Sequence, residues 1–437
     1  MEFIKNPLAN VGDEGESKVS YLRKLMKGAA IVFGINFVAG LIGYITKIYF
    51  ARNLTPEEYG LFFAVLTLIT FITLFKNCGL WQALAKFIPE YLIKKQYGRI
   101  KSAILKVTCF NLAIAVALSV VLYFLSGTLA VYYFKNPMAD WLLKAFIAIF
   151  ILITFRNILR AIFRGFQKML PFVMVYLTEN IIILLVAWIF FSFELGLKAP
   201  VGAYIIAYVL VFVIFSKVLL SVFPLFKHRE QTVSAKKLFG FGIPVLFTGV
   251  GDLIILYVDI LILTAFVPLG QVGIYSVCVA TAMLLTYISK AVIQPLFPMV
   301  AELTFKKKNK ELKELISYTN RGILVLAIPI AGAMVILARY ILNKLFGETY
   351  VSGAPVLKML IVGVCFLIPA TLNLHVIAAL GKPKSATKIV AIGAIVNVLA
   401  NFYFIPVYGI IGAAYTSLGS YIIIYFLSTI KLRRLLK

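Results

Sequence analysis

Twelve long apolar runs constrain this chain more than any other feature. They lie at about 28–50, 59–80, 104–125, 141–163, 170–192, 201–224, 239–264, 270–296, 318–337, 355–380, 386–405 and 411–430. A helix needs roughly 20 mostly apolar residues to cross the hydrocarbon core of a bilayer. A membrane barrel would instead show alternating segments of about ten residues. The expected fold is therefore all-α and integral to a membrane, with about twelve transmembrane helices. Composition agrees, since 62% of the residues are hydrophobic, against roughly half in a soluble domain.

Lysine and arginine set the expected orientation, because they collect in cytoplasmic segments. With the N-terminus in the cytoplasm, 28 of the 43 basic residues fall in inside segments and only 5 outside, at Arg52, Lys135, Lys198, Arg339 and Lys344. This alternation explains the net charge of +26 without nucleic acid as a partner. Both termini are expected in the cytoplasm of a cell-membrane, multi-pass protein. The first 27 residues are polar and carry Asp13, Glu14 and Glu16. The apolar run after them is too long for a signal-peptide core, so it is expected to stay as an uncleaved first span. Cys78, Cys109, Cys278 and Cys365 lie in apolar runs with no ligand spacing. They read as packing residues rather than as a disulfide or zinc framework.

The two halves of the chain resemble each other at an offset of about 213 residues. Tyr59-Gly60-Leu61-Phe62 aligns with Val272-Gly273-Ile274-Tyr275, and Pro89-Glu90-Tyr91 through Lys95 with Ala301-Glu302-Leu303 through Lys307. Gln167-Lys168 matches Gly381-Lys382, and Val201-Gly202-Ala203 matches Ile411-Gly412-Ala413. Six spans per half bring both halves in from the same side, which makes the repeat parallel, about an axis along the membrane normal. The expected organisation is a cytoplasmic tail (1–27), a six-helix lobe (28–224), a cytoplasmic linker (225–237), a second six-helix lobe (238–430) and a short tail (431–437).

The stretch Ala51-Arg52-Asn53-Leu54-Thr55-Pro56-Glu57-Glu58-Tyr59-Gly60-Leu61 resembles the first outer loop of Wzx-like polysaccharide exporters. The second half carries similar stretches: Val258-Asp259-Ile260-Leu261-Ile262-Leu263, Gln271-Val272-Gly273-Ile274-Tyr275-Ser276, Phe241-Gly242-Ile243-Pro244 and Pro295-Leu296-Phe297-Pro298. These exporters share a superfamily with multidrug (MATE) exporters and the peptidoglycan-precursor flippase. The resemblance implies two six-helix lobes around a cavity that opens alternately to each side. It also implies a cargo of saccharide on a polyprenyl phosphate or diphosphate, carried by a non-enzymatic flippase serving cell-surface glycan biosynthesis. Membrane lipids, and polysaccharide-biosynthesis proteins acting before and after it, are the expected partners.

Charges inside spans are costly and mark functional candidates. Arg156, Arg160 and Arg164 recur every four residues and form one stripe on the fourth span. Arg156 lies roughly 10 Å deeper than the interface on the 1.5 Å rise per residue. Arginine offers paired donors to phosphate oxygens. Such a stripe suits a phosphate head group entering from the cytoplasm, or equally anionic lipid heads or helix-end carbonyls. Lys47 and Arg52, near the outer end of the first span, would supply positive charge on the exit side, Arg52 alternatively serving as an interfacial anchor. Only Glu179, Asp252 and Asp259 bring carboxylates into spans. All three are candidates for ion coupling; Asp252 and Asp259, seven apart, share a face and either pair with Lys47 or the arginines or hold a coupling proton or Na⁺. No other cofactor is expected. Lys76, Lys217, Lys290 and Arg321 near cytoplasmic ends, and Lys144 and Lys358 near outer ends, read as snorkelling. His375 reads as a hydrogen-bonded packing residue, and Pro244, Pro329 and Pro369 as bend points.

The sequence contains no P-loop, GxGxxG or HExxH pattern. Besides the saccharide flippase, two readings compete. A cation-coupled drug or metabolite exporter on the same fold would need more cavity acids. A membrane-embedded glycosyltransferase would need an acid/base cluster in an outer loop, and these loops are short.

Overall fold

The computed structural model describes residues 18–224, 231–306 and 308–436, with the backbone alone at 18–27, 29, 247–253, 256, 294, 295, 297, 298 and 301. The first 17 residues of the expected tail, the linker stretch 225–230 and the side chain of Asp252 lie outside the described residues. The described chain is all-α. Its first part comprises α1 (Lys18–Asn53), α2 (Pro56–Lys76), α3 (Leu80–Ile93), α4 (Tyr97–Tyr132), α5 (Met138–Gly165), α6 (Met169–Ser192) and α7 (Lys198–Val222). Then follow α8 (Ala235–Phe266), α9 (Leu269–Ala282), α10 (Thr286–Phe305), α11 (Asn309–Ile336), α12 (Ala338–Phe346), α13 (Ala354–Ala379) and α14 (Pro383–Leu436).

Among the described residues, ten helices are long and apolar enough to cross a membrane. One of these, α14, has 54 residues, about 80 Å at 1.5 Å per residue and well over a bilayer's hydrocarbon thickness. It breaks at Gly409, whose φ of 56° and ψ of −134° only glycine adopts readily. The eleventh and twelfth expected runs are thus the two arms of α14. The eighth run is divided by a short 3₁₀ turn, Met283–Leu285, between α9 and α10.

Two helices fall where loops were expected. α3 occupies the basic stretch after the second run, and its buried residues Leu80, Ala83, Leu84, Phe87, Ile88 and Tyr91 follow helical spacing. α12 buries Ala338, Leu342 and Phe346 in the same manner. The linker also differs from expectation, since α8 already begins at Ala235. The preceding residues dock on α4: Gln231 N–H donates to the Gly98 carbonyl at 3.2 Å, Val233 N–H to Ser102 Oγ at 3.3 Å, and Lys106 Nζ to the Val233 carbonyl at 2.7 Å.

Local chemistry fixes the turn from α1 into α2. Thr55 Oγ1 accepts from Glu58 N–H at 3.2 Å, and the Glu58 carboxylate accepts from Thr55 N–H at 2.9 Å, a reciprocal cap with Pro56 in the first turn. Within the bundle α1 packs on α6, α6 on α7 and α4 on α5, while α13 packs on α14 and α14 on α8. Helix α2 crosses α9 so closely that a Cβ on Gly60 would lie 1.9 Å from the Leu269 carbonyl oxygen. Near the opposite end of α2, the turn at Gly79 approaches α8, where a Cβ would lie 1.9 Å from the Gly242 carbonyl oxygen.

Candidate functional site

A cavity of about 620 Å³ lies among α1, α2, α3, α5, α6, α7, α8, α9 and α10. Ligand pockets are typically about 300–1,000 Å³, so this one has room for a sizeable polar head group. Six tyrosines line it: Tyr44, Tyr176, Tyr204, Tyr208, Tyr257 and Tyr287. Asn157, Asn180 and the hydroxyls of Thr46, Thr67, Thr70 and Thr73 add donors and acceptors. Such a wall offers aromatic faces and hydrogen-bonding tips together. The tyrosines are hidden in apolar runs and carried no signal beyond hydrophobicity, so reading spans alone missed them.

Among the described residues, the charged side chains lining the cavity are Lys47, Arg156, Glu179 and Lys290. Arg156 Nη1 donates to both oxygens of Glu179 at 2.9 Å, and its guanidinium lies 5.4 Å from the centre of the Tyr208 ring. The side chains are 16% and 6% exposed, so this ion pair is largely buried. Arg160, one turn along α5, stacks 4.8 Å from the Phe172 ring and 5.7 Å from that of Tyr176. The Nε of each arginine is buried and finds no acceptor among the described residues. Arg164, a further turn along, is exposed. Of the expected stripe, then, Arg156 lines the cavity, Arg160 is stacked one turn away, and Arg164 lies outside.

Lys47 lines the cavity with its ammonium 5.4 Å from the centre of the Phe63 ring. Arg52 does not line it. Its Nε donates to the Leu345 carbonyl at 2.8 Å and its Nη2 to that of Lys344. These are carbonyls left open at the end of α12, which a guanidinium satisfies well. The anchoring alternative for Arg52 therefore replaces the exit-side role. Two snorkelling expectations also fail. Lys290 faces the cavity, 4.7 Å from the Tyr287 ring. Lys76 is 4% exposed, donates to Thr154 Oγ1 and lies 3.9 Å from the Phe150 ring.

Asp259 is buried away from the cavity lining, in the packing of α8, α9 and α14. Its oxygens accept from Tyr275 Oη at 2.7 Å, Asn401 Nδ2 at 2.6 Å and Ser417 Oγ. Thr416 Oγ1 and Asn397 complete the cluster through Asn401. The expected pairing of Asp259 with Lys47 or the arginines is corrected, because every group bonded to it among the described residues is neutral. His375 bonds the Thr371 carbonyl at 2.8 Å, one turn earlier on α13.

Polar contacts tie the early and late helices at the end of the cavity where α1 turns into α2. Tyr133 Oη donates to the Leu261 carbonyl at 2.7 Å and Lys135 Nζ to that of Ala265 at 3.0 Å, beside the Gly60 and Gly273 crossing. At the other end Lys237 Nζ reaches Glu90 at 3.4 Å and Tyr91 Oη at 3.2 Å, and Lys86 lies 3.9 Å from the Phe241 ring.

Comparison with known proteins places this architecture. The chain is 28% identical over 435 residues to the uncharacterized membrane protein MJ1068 of Methanocaldococcus jannaschii, covering 96% of this chain and 86% of that one. It is 24% identical over 400 residues to a protein of Haloferax volcanii named "Probable low-salt glycan biosynthesis flippase", covering 86% and 78%. Among solved structures, the lipid II flippase MurJ in an inward closed conformation superposes with a TM-score of 0.74 at 18% identity, over 92% of this chain and 87% of that one. The Vibrio cholerae MATE transporter VcmN superposes with a TM-score of 0.66 at 17% identity, over 95% and 97%. These structures show a MATE-like transporter fold. The profile of one family, described as "Polysaccharide biosynthesis protein", matches residues 25–304, and this multi-pass membrane protein belongs to that family.

Proposed function

We propose that the chain is a flippase that moves a saccharide linked to polyprenyl phosphate or diphosphate from the cytoplasmic to the outer leaflet. One observation carries this reading. The cavity is lined by three cations and one carboxylate among the described residues, inside a shell of tyrosines, threonines and asparagines. The cations suit a phosphate, and the phenol faces and hydroxyls suit a sugar. A long apolar tail is free to stay in the surrounding lipid. The glycan-biosynthesis flippase named among the relatives supports the same cargo class, with polysaccharide-biosynthesis proteins as its suppliers and users.

The proposed cycle is alternating access between two six-span lobes, with both termini in the cytoplasm. Gly60 and Gly273 occupy equivalent positions of the internal repeat, and they meet at the α2 and α9 crossing. Contact between equivalent positions is what an axis relating two parallel repeats produces. Asp259, held by neutral donors alone, is the proposed site of a coupling proton or Na⁺, and Arg156, Arg160 and Lys47 are the proposed cargo contacts. A drug exporter on this fold would need a free carboxylate facing its cationic cargo. Glu179, the one carboxylate lining the cavity among the described residues, is already bound by Arg156. The test replaces Arg156 and Arg160 together by alanine and follows movement of a lipid-diphosphate sugar in proteoliposomes. Loss of movement with normal membrane insertion is expected; an unchanged rate overturns the cargo assignment.

A further inference from the structure

We propose that Glu179 is a built-in stand-in for the cargo's phosphate, exchanging with it on Arg156 and taking up one proton as it is displaced. The inference rests on the cargo class proposed above and adds how that site is filled and emptied.

An arginine expected to be open to cargo is instead occupied. Glu179 presents two oxygens to Arg156 Nη1 at 2.9 Å, the same acceptor chemistry that a phosphate presents. The occupation is partial. The buried Nε of Arg156 has no acceptor among the described residues, nor has the buried Nε of Arg160 one turn away. Residues four apart on a helix are neighbours, about 5–6 Å between their Cβ atoms. A phosphate, with more oxygens than a carboxylate, can serve both guanidiniums, which Glu179 alone does not. Glu179 thus leaves an Arg156 donor unused, and Arg160, outside the cavity lining, lies one turn along the same helix.

The exchange has a consequence for charge. Once phosphate takes Arg156, the Glu179 carboxylate, 6% exposed, keeps the neutral Tyr208 hydroxyl as a hydrogen-bond partner but is left buried beside another anion without its cation. A buried unpaired carboxylate is strongly disfavoured and is neutralised by a proton instead. Among the described residues, Arg156 is the one cation within ion-pair distance of Glu179. Helix α5 contributes Arg156, with Arg160 stacked on Phe172 one turn away, and α7 contributes the phenols of Tyr204 and Tyr208. Tyr176 lies on α6 itself, Tyr44 and Lys47 on α1, Tyr257 on α8, and Tyr287 and Lys290 on α10. Phenols add no positive charge, and the two lysines sit over the rings of Phe63 and Tyr287. A proton from solution converts the released carboxylate to a neutral acid. On cargo release the acid gives up that proton and the carboxylate returns to Arg156. The guanidinium is then never carried bare through the low-dielectric centre on the empty return.

Phosphate binding and Glu179 protonation are then linked, and linkage is reciprocal. The experiment uses the full chain in nanodiscs and a farnesyl diphosphate esterified with one glucose, whose phosphates do not titrate near neutral pH. Binding heat measured in two buffers of different ionisation enthalpy counts protons. The wild type is expected to take up close to one proton per probe bound. Glu179→Gln is expected to take up none and to bind roughly 5- to 150-fold tighter. Wild-type binding without proton uptake overturns the proposal while leaving the cargo class standing. Persistence of the uptake in Glu179→Gln also overturns it, since another group then titrates. Failure of the wild type to bind the probe sinks both this inference and the proposed cargo. The wild-type proton count decides the matter even if the variant does not fold.

Discussion

Gly60→Val tests the closure of the cavity at the end where α1 turns into α2. A Cβ at Gly60 would lie 1.9 Å from the Leu269 carbonyl oxygen and 2.8 Å from the Gly273 nitrogen. Ordinary contact begins near 3.4 Å, so α2 and α9 must part by about 1.5 Å. Both obstructing atoms are backbone, so no rotamer change relieves the clash. Overpacking of this kind costs about 1–3 kcal/mol. That cost falls on the state in which this end is shut, so the open state gains by roughly 5- to 150-fold. The assay labels a cysteine placed at Thr67, which lines the cavity, in a background where Cys78, Cys109, Cys278 and Cys365 are replaced. A membrane-impermeant maleimide added from the α1–α2 side is expected to react faster by that factor. Gly332→Val is the control, because nothing lies within 4 Å of a Cβ there. Unchanged labelling in Gly60→Val, or equal acceleration in the control, refutes the gate.

Arg156→Ala strands the buried Glu179 and is expected to cost about 3–5 kcal/mol of stability; in a double-mutant cycle with Glu179→Ala, a coupling below about 1 kcal/mol would mean an exposed, weak pair. Asp259→Asn places an amide among donors that need an acceptor, so it is expected to lower thermal stability and to flatten any dependence of transport on pH or Na⁺; persistence of that dependence removes Asp259 from coupling. Lys76→Met exchanges a buried ammonium that has no carboxylate partner among the described residues for an apolar chain of similar size, and equilibrium unfolding is expected to show a change under about 1.5 kcal/mol; a larger loss would reveal an essential charge. Glu90 is bonded by the Lys94 ammonium and lies near that of Lys237, which hold its carboxyl below the ordinary carboxylate range. Its depressed value means the Lys237 bridge is kept above the unfolded carboxylate range, near pH 4.3, and is lost only as pH falls through the lower folded value. Glu90→Gln should therefore leave a transport profile between pH 6 and 8 unaltered, and a shifted profile would count against this.

Long apolar runs made the helices legible because a bilayer demands length and hydrophobicity at every crossing. The same signal hid what lies within them. Tyr176, Tyr204 and Tyr208 count as apolar in a run, and only helix packing shows that they face one cavity. The pairing of Arg156 with Glu179 joins α5 to α6 across a separation that spacing along one helix does not reveal. Asp259 finds Asn401 and Ser417 on α14, well over a hundred residues away. Lys290 faces the cavity although it lies near a span end, because distance from a span end measures depth, not direction. Helix α3 is hard to read from sequence because Lys86 and the Lys94-Lys95 pair just beyond it mark a cytoplasmic loop, although Leu80, Leu84, Phe87 and Tyr91 carry the helical period.

Reconstitution gives the most direct test of the cargo. Proteoliposomes carrying a lipid-diphosphate saccharide only in the inner leaflet can be sampled by a lectin that cannot cross the membrane. Protein-dependent arrival of sugar at the outer face is expected, at a rate lowered in the Arg156→Ala, Arg160→Ala double variant. Arrival no faster than in protein-free vesicles would contradict a saccharide flippase outright.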